Sequence, residues 1–176
     1  MKDGAITVHV KLDAKTFRRF SRFDMLRLRK RWVRPTVFAA ILIAFAAVAL
    51  LSRRVQSGLI AAVLLAVGLG LPLVYFGSFF SQVNMQVMRY NLDPPRAVYT
   101  VRLDFDGVSV TNDQKQESPL NVAWKDVQAA FRNKGCVYLY VNAVRAFLLP
   151  DGQADVDPEA LWAYLKEHLG DRARAL

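Results

Sequence analysis

Residues 35–51 read PTVFAAILIAFAAVALL, and residues 58–80 read GLIAAVLLAVGLGLPLVYFGSFF. Neither stretch holds a charged residue, and only SRRVQS, Ser52 to Ser57, separates them. At roughly 1.5 Å per residue, seventeen and twenty-three helical residues reach about 25 and 34 Å, against a hydrocarbon core of about 30 Å. The first stretch needs Trp32 and Val33 to complete a crossing, and the second crosses with tilt. A helix in a soluble core normally keeps a polar face, and neither stretch has one. The pair predicts a transmembrane helical hairpin over residues 35–81. It leaves a front of residues 1–34 and a tail of residues 82–176.

Charge divides the chain in the same way. The formal net charge is +9. Residues 1–34 carry eleven Lys and Arg against three Asp, and Arg53 and Arg54 add two positive charges between the spans. Residues 82–176 carry eleven basic and twelve acidic residues, so the tail is close to neutral. A nucleic-acid-binding tail would need a basic patch of its own, which argues against that class. The single cysteine, Cys136, excludes an intrachain disulfide and sits in the apolar run CVYLYV as a buried small hydrophobe.

Ahead of the hairpin, Ala5 to Leu12 reads AITVHVKL. Ile6, Val8, Val10 and Leu12 alternate with Thr7, His9 and Lys11, the period of a half-buried strand. A lone strand is not stable, so its partner must lie beyond the hairpin, where the other strand signals are. His9 falls on the polar face. Asp13 is placed to cap a helix over AKTFRRFSRFDMLRLRKRW, with Phe17, Phe20, Phe23 and Leu28 as an imperfect apolar stripe. That helix is expected to run to the membrane and on into the first span. At the membrane edge Arg27, Arg29, Lys30, Arg31 and Arg34 crowd together. They serve as a topogenic signal that keeps this end cytoplasmic, and they are the candidate contacts for anionic lipid.

Orientation follows from the same count. Eight basic residues lie between Arg18 and Arg34, against two in the loop between the spans, so both termini are expected in the cytoplasm. Trp32, Tyr75, Phe76, Phe79 and Phe80 then fall at one interface. The late start of the first span and the presence of a second argue against a secretory signal peptide. Ala62, Ala66 and Gly70 on the second span, with a similar face at Ala40 and Ala44 on the first, offer small residues for helix contact. Pro72 is expected to kink the second span or loosen its bonding near Gly68. Neither span contains an ionisable residue, so a channel or transporter has no support.

The tail reads as about six strands and one helix. SQVNMQVMRYN extends the second span as helix until Asp93-Pro94-Pro95. Ala97 to Phe105 alternates, with Val101, Leu103 and Phe105 on one face, and Asp106-Gly107 signals a hairpin turn to Val108 and Val110. Asn112 to Pro119 is a polar loop. Leu120 to Trp124, Val127 to Phe131, Cys136 to Asn142 and Val144 to Leu149 complete the strands. Asn133-Lys134-Gly135 and Pro150-Asp151-Gly152 mark turns. Asp157-Pro158-Glu159 opens a terminal helix over residues 158–169, whose apolar face is Leu161, Trp162, Leu165 and Leu169 and which ends at Gly170. The trailing DRARAL is expected to fray. These elements predict an α+β membrane protein: a two-helix hairpin inserted into a small antiparallel barrel-like cytoplasmic domain with a C-terminal helix.

The order of these pieces resembles the bacterial YcxB-like family. ITVHVKL precedes the spans; VRLDFDGVSV, the WKDV tetrapeptide and VYLYVNAVRAFLLP follow them. The spacing F-D-G-V departs from the F-x-x-x-G-x-x-V pattern of that hairpin. A basic residue is expected after the proline, whereas Pro150 is followed by Asp151-Gly152, so any anionic contact that depends on such a residue is not expected here. The resemblance implies a pleckstrin-homology-like tail capped by the C-terminal helix, and it brings no established activity and no catalytic residues.

No catalytic constellation stands out. His9 and His168 lack ligands at metal spacing, and the chain has no H-E-x-x-H, no phosphate loop and no nucleophile elbow. Gly68 to Pro72 lies inside a span. Asp104, Asp106 and Asp113 flank a hairpin and read as turn residues. Trp124, Tyr138, Tyr140 and Phe147 read as core. The expectation is a non-enzymatic protein of the bacterial inner membrane, without cofactor or metal. It would present a β-rich module to a protein partner or to another copy of itself. The alternative is a module responding to anionic lipid through the basic helix 14–34.

Overall fold

The computed structural model describes residues 5–52, 54–112 and 118–176. The chain forms two compact units: residues up to Phe20 together with Asn91–Leu176, and Ser21–Tyr90 inserted between them.

The discontinuous unit begins with β1 (Ile6–Leu12), which pairs antiparallel with β2 (Arg96–Leu103). The partner that the lone front strand requires thus comes from the far side of the insertion. Ile6, Val8, Val10 and Leu12 are all buried, as their alternation demands. Each such side chain contributes about 1.5–3 kcal/mol of burial. The first sheet continues with β3 (Gly107–Asn112) and β4 (Leu120–Ala123), in the order β1-β2-β3-β4. The second holds β5 (Ala129–Arg132), β6 (Cys136–Tyr140), β7 (Ala146–Pro150) and β8 (Ala173–Ala175), in the order β7-β6-β5-β8.

The predicted barrel does not close: the strands form two separate four-stranded sheets. At the β1 edge the ladder is replaced by residues 153–155. Thr7 N donates to Asp155 Oδ1 and Asp155 N to the Thr7 carbonyl, both at 3.0 Å. His9 N donates to the Gln153 carbonyl. The Gln153 side chain accepts from Lys11 N at 2.7 Å and donates to the Lys11 carbonyl at 3.0 Å. At the β7 edge the Tyr99 hydroxyl accepts from Leu148 N at 2.8 Å and donates to the Leu148 carbonyl at 3.1 Å. Burial drives that phenol's pKa far above its ordinary value, so it stays protonated and able to donate.

Between β4 and β5 the chain turns through a 3₁₀ turn, Trp124–Asp126, covered by α4 (Pro158–Leu169). Asp157 caps α4 by accepting from Glu159 N at 3.1 Å, Pro158 takes the first turn, and Leu161, Trp162, Leu165 and Leu169 are buried. The last residues do not fray. After Gly170 (φ 55°) the chain makes a short turn, and β8 adds parallel to β5 with Ala173 buried. Backbone bonding to β5 supplies an order that no apolar pattern in DRARAL announces.

Two strand ends fall short of their sequence pattern. Phe105 is 86% exposed because β2 stops at Leu103, and Asp104 then folds its carboxylate back onto Asp106 N and Gly107 N. Val144 is 82% exposed because Asn142 caps the turn there, accepting from Val144 N and Arg145 N. Gly107 itself opens β3. It is glycine because β4 passes close by: a β-carbon would run into the Val122 carbonyl oxygen and lie 2.9 Å from Ala123 Cα. The Asn133–Cys136 turn has positive φ at both Lys134 and Gly135, the geometry that matches hairpin twist. Asp113, and most of the predicted polar loop, lies outside the described residues.

In the inserted unit, α2 (Val33–Leu51) and α3 (Ser57–Arg89) are both long and apolar enough to cross a membrane. At 1.5 Å per residue they measure about 28 and 50 Å. Their large side chains point outward: Phe45 and Val48 are each 60% exposed, and Leu59, Leu73 and Val74 more so. The contact face differs from the one expected. Ala39 and Ala46 on α2, and Ala61 and Gly68 on α3, are buried, whereas Ala40, Ala44, Ala62 and Ala66 are exposed. The small residues in contact recur every seven positions, not every four. At Gly68 an added β-carbon would sit 3.2 Å from Leu42 Cβ. α3 continues as helix through Pro72.

The expected single basic helix is interrupted. Asp13 does cap α1 (Ala14–Phe23), accepting from Thr16 N at 3.0 Å. Burial raises that carboxyl's pKa, but the Thr16 hydrogen bonds, its own backbone N–H and the Lys15 charge together leave the net shift downward. A π-helical turn then spans Asp24–Leu28, and Lys30 takes a left-handed backbone (φ 46°), so the helix does not run on into α2. Leu28 accordingly leaves the stripe of Phe17, Phe20 and Phe23 and is exposed.

Gly107→Ala is expected to lower the stability of the discontinuous unit by about 1–3 kcal/mol, the cost of forcing a methyl into a packed site. Gly70→Ala, with open space around it, serves as the control. The readout is the denaturant midpoint of near-UV dichroism for the purified full chain in detergent. An unchanged midpoint for Gly107→Ala would overturn the close-approach account.

Candidate functional site

The basic residues singled out by sequence all lie in the inserted unit, at the amino end of α2. The π-turn sets their directions. Arg29 N donates to the Asp24 carbonyl at 2.9 Å, an i to i+5 bond, and the same spacing brings the side chains together. Arg29 Nε lies 2.9 Å from Asp24 Oδ2 and 3.1 Å from Oδ1. Arg29 is therefore spent on an internal pair, half withdrawn from solvent. Pairs of this kind contribute about 0–1 kcal/mol, so its role is to fix the turn. The other four differ. Arg27, Lys30, Arg31 and Arg34 are exposed, and among the described residues no carboxylate lies within ion-pair distance of them.

Apolar residues share this surface. Leu26 is 44% and Leu28 38% exposed, and Trp32, also exposed, donates from its indole Nε1 to the Leu26 carbonyl at 3.1 Å. On the neighbouring helix Phe80 receives the Arg22 guanidinium over its ring, 5.6 Å from the centroid. The α2–α3 register, set where Gly68 meets Ala39 and Leu42, puts Trp32 level with Tyr75 when carried one heptad toward the amino end. Aromatics from both helices thus gather at one end of the hairpin. Sequence reading missed Asp24 and the two leucines. Asp24 stands five residues before Arg29, a spacing that does not meet on an α-helix and carries no signal until a π-turn is in place.

Among its described residues the discontinuous unit holds no comparable cluster. The aromatics read together from sequence separate. Tyr138 and Tyr140 are buried under Phe20, at ring distances of 5.2 and 6.2 Å. Phe147 lies 5.3 Å from Tyr99. Trp124 instead joins His168 (4.7 Å) and Tyr164 (6.0 Å) from α4, with its indole donating to the Asp104 carbonyl. His168 Nδ1 is 2.9 Å from the Tyr164 carbonyl, so that nitrogen carries the proton. Arg172 donates to the carbonyls of Val127 and Lys125, closing the same corner. These contacts pin α4 over the gap between the sheets. His9 pairs across strands with Thr100 Oγ1 at 3.2 Å. Among the described residues no group of three His, Cys, Asp or Glu could hold a metal ion.

At the other end of α4, Arg132 grips Glu159 with two hydrogen bonds of 2.7 and 2.8 Å, and Asp151 lies 4.0 Å away. The guanidinium holds the Glu159 carboxyl below its usual range. The support this pair gives is present above the ordinary carboxylate range and is lost as pH falls through the lowered value.

Cys136 is 2% exposed, and burial pushes its thiol up to about 12. Only the thiolate is nucleophilic. At pH 8 the folded chain is therefore expected to resist alkylation by iodoacetamide, with rapid reaction once denaturant exposes Cys136. Fast alkylation of the folded chain would contradict this burial. Comparison of the chain with family models, with curated proteins and with solved structures returned no match.

Proposed function

We propose that the chain is a non-enzymatic, two-span integral membrane protein. In this reading α2 and α3 anchor the α+β unit at the cytoplasmic face of a bacterial inner membrane, where that unit engages a protein partner. The outward-facing apolar side chains of both helices carry the membrane part of the reading. In water so large an apolar surface is costly, at about 25 cal/mol per Å²; in hydrocarbon it is matched. The pairing of β1 with β2 supports an even number of crossings, because chain before and after the hairpin belongs to one sheet. The excess of Lys and Arg on that side supports a cytoplasmic placement.

Two features support the partner. The tail is near neutral, and β4 ends its sheet, pairing only with β3 among the described strands. Along Leu120–Ala123, ahead of the Trp124 corner that α4 covers, such a sheet edge can take an extended peptide as an added strand. The order strand, helix, two long apolar helices, strands and terminal helix supports placing the chain with the YcxB-like family.

Fluorescent-protein fusion at the C-terminus and alkaline phosphatase fusion within Ser52–Ser57 test the topology. Fluorescence at the first and phosphatase activity at the second are expected, and the reverse pattern would overturn the orientation. For the partner, the tagged chain is extracted with its surrounding lipid and analysed by mass spectrometry. A stoichiometric second protein is expected; recovery of the chain alone would remove that half of the reading.

A further inference from the structure

We propose that the Asp24–Arg34 corner is a binding site for anionic phospholipid headgroups. It rests on the membrane reading above but not on any protein partner. Positive charge near a span is common and by itself only orients a helix. This corner adds three features. Exposed Leu26 and Leu28 alternate with exposed Arg27, Lys30 and Arg31, so one short segment offers both acyl-compatible and phosphate-compatible side chains. The left-handed turn at Lys30 separates this segment from α2 and frees it from the helix direction. The Asp24–Arg29 pair neutralises the one carboxylate in the segment, so four cations face outward without internal competition.

An interfacial segment of this composition lies with its apolar side chains at the headgroup–acyl boundary and its cations on the phosphates. Arg and Lys divide the task. Arg27, Arg31 and Arg34 present planar forks that hold a phosphate through two oxygens, whereas Lys30 contributes a point charge. Trp32, tied to the Leu26 carbonyl at 3.1 Å, is a built-in reporter of the lipid beside the corner.

The full chain is reconstituted into vesicles of phosphatidylcholine and phosphatidylglycerol in which one lipid or the other carries brominated acyl chains. Quenching is read against a Trp32→Phe variant, which subtracts Trp124 and Trp162. At equal mole fraction, brominated phosphatidylglycerol is expected to be enriched about fivefold or more at Trp32, and the enrichment is expected to fall as salt rises. R27Q/K30Q/R31Q/R34Q is expected to abolish the preference, while K125Q/K166Q, which removes charge from the other unit, leaves it intact. Equal quenching by both lipids in the native chain, or a preference that survives the fourfold variant, would overturn the site.

Millimolar glycerol phosphate is expected to have no effect; loss of the preference on its addition would identify a soluble phosphate ligand and likewise overturn the lipid assignment. Insertion is scored separately, by resistance to alkaline carbonate extraction. If the fourfold variant fails to insert, R27Q/K30Q, which keeps Arg31 and Arg34 for topology, is read instead and is expected to lose about half of the preference; an unchanged preference there overturns the site. A native chain released by carbonate would sink the membrane reading itself, an outcome distinct from loss of lipid preference.

Discussion

Everything else in this molecule hangs on the antiparallel pairing of β1 with β2. Ile6 sits opposite Leu103 and Leu12 opposite Arg96, so the residues just before and just after the inserted unit are held side by side. The entropic cost of closing so long a loop grows only slowly with its length, and a compact hairpin within the loop lowers it further. The pairing in return defines the first sheet, since β2 has no other partner on its β1 side. It also restricts what the insertion can be. A chain that leaves and re-enters one sheet at adjacent strands must turn back an odd number of times. Two long helices joined by a short turn supply one such reversal.

The two seams of that unit are closed by different means. Along β1 and β7 the backbone groups that would have formed a barrel ladder are taken by a single main-chain bridge, Val8 to Ala154, and by side chains: Asp155 and Gln153 on one strand, the Tyr99 hydroxyl on the other. A ladder needs matched twist and register along its whole length, whereas side-chain closure satisfies the same donors one at a time. At the β4–β5 corner the cover is apolar and aromatic, from α4 and the Trp124–His168–Tyr164 stack. Both devices leave a buried interior without a continuous cylinder.

Much of this was legible from sequence where a local rule coincides with the final environment. The alternation of Ile6, Val8, Val10 and Leu12 names the buried face of β1. Asp157-Pro158-Glu159 names the start of α4, and the absence of polar residues marks α2 and α3. The failures share a cause. Phe105 and Val144 continue the alternation of their strands, but Asp104 and Asn142 cap turns that end those strands first. β8 is held by backbone bonds to β5 and packs little apolar surface. The seams between the sheets depend on Gln153, Asp155 and Tyr99, polar residues whose partners are far away in sequence. Sequence pattern reports which face of an element is buried far better than which distant group satisfies its edge.

The same limit applies to the candidate site and to the helix contact. Five basic residues were legible as a cluster, but their division into one paired and four outward-facing depends on a π-turn. A turn of this kind shifts every later side chain by about one position relative to an α-helix. Between the helices, small residues spaced by four were the evident motif, yet the contact uses a spacing of seven. Two antiparallel helices that stay in contact over several turns need a repeat near 3.5 residues, and seven is its first whole multiple. Spacing by four drifts off the contact line after two turns, which suits a brief crossing. Long-lived contact along α2 and α3 therefore selects Ala39, Ala46, Ala61 and Gly68 and leaves the four-spaced alanines facing outward.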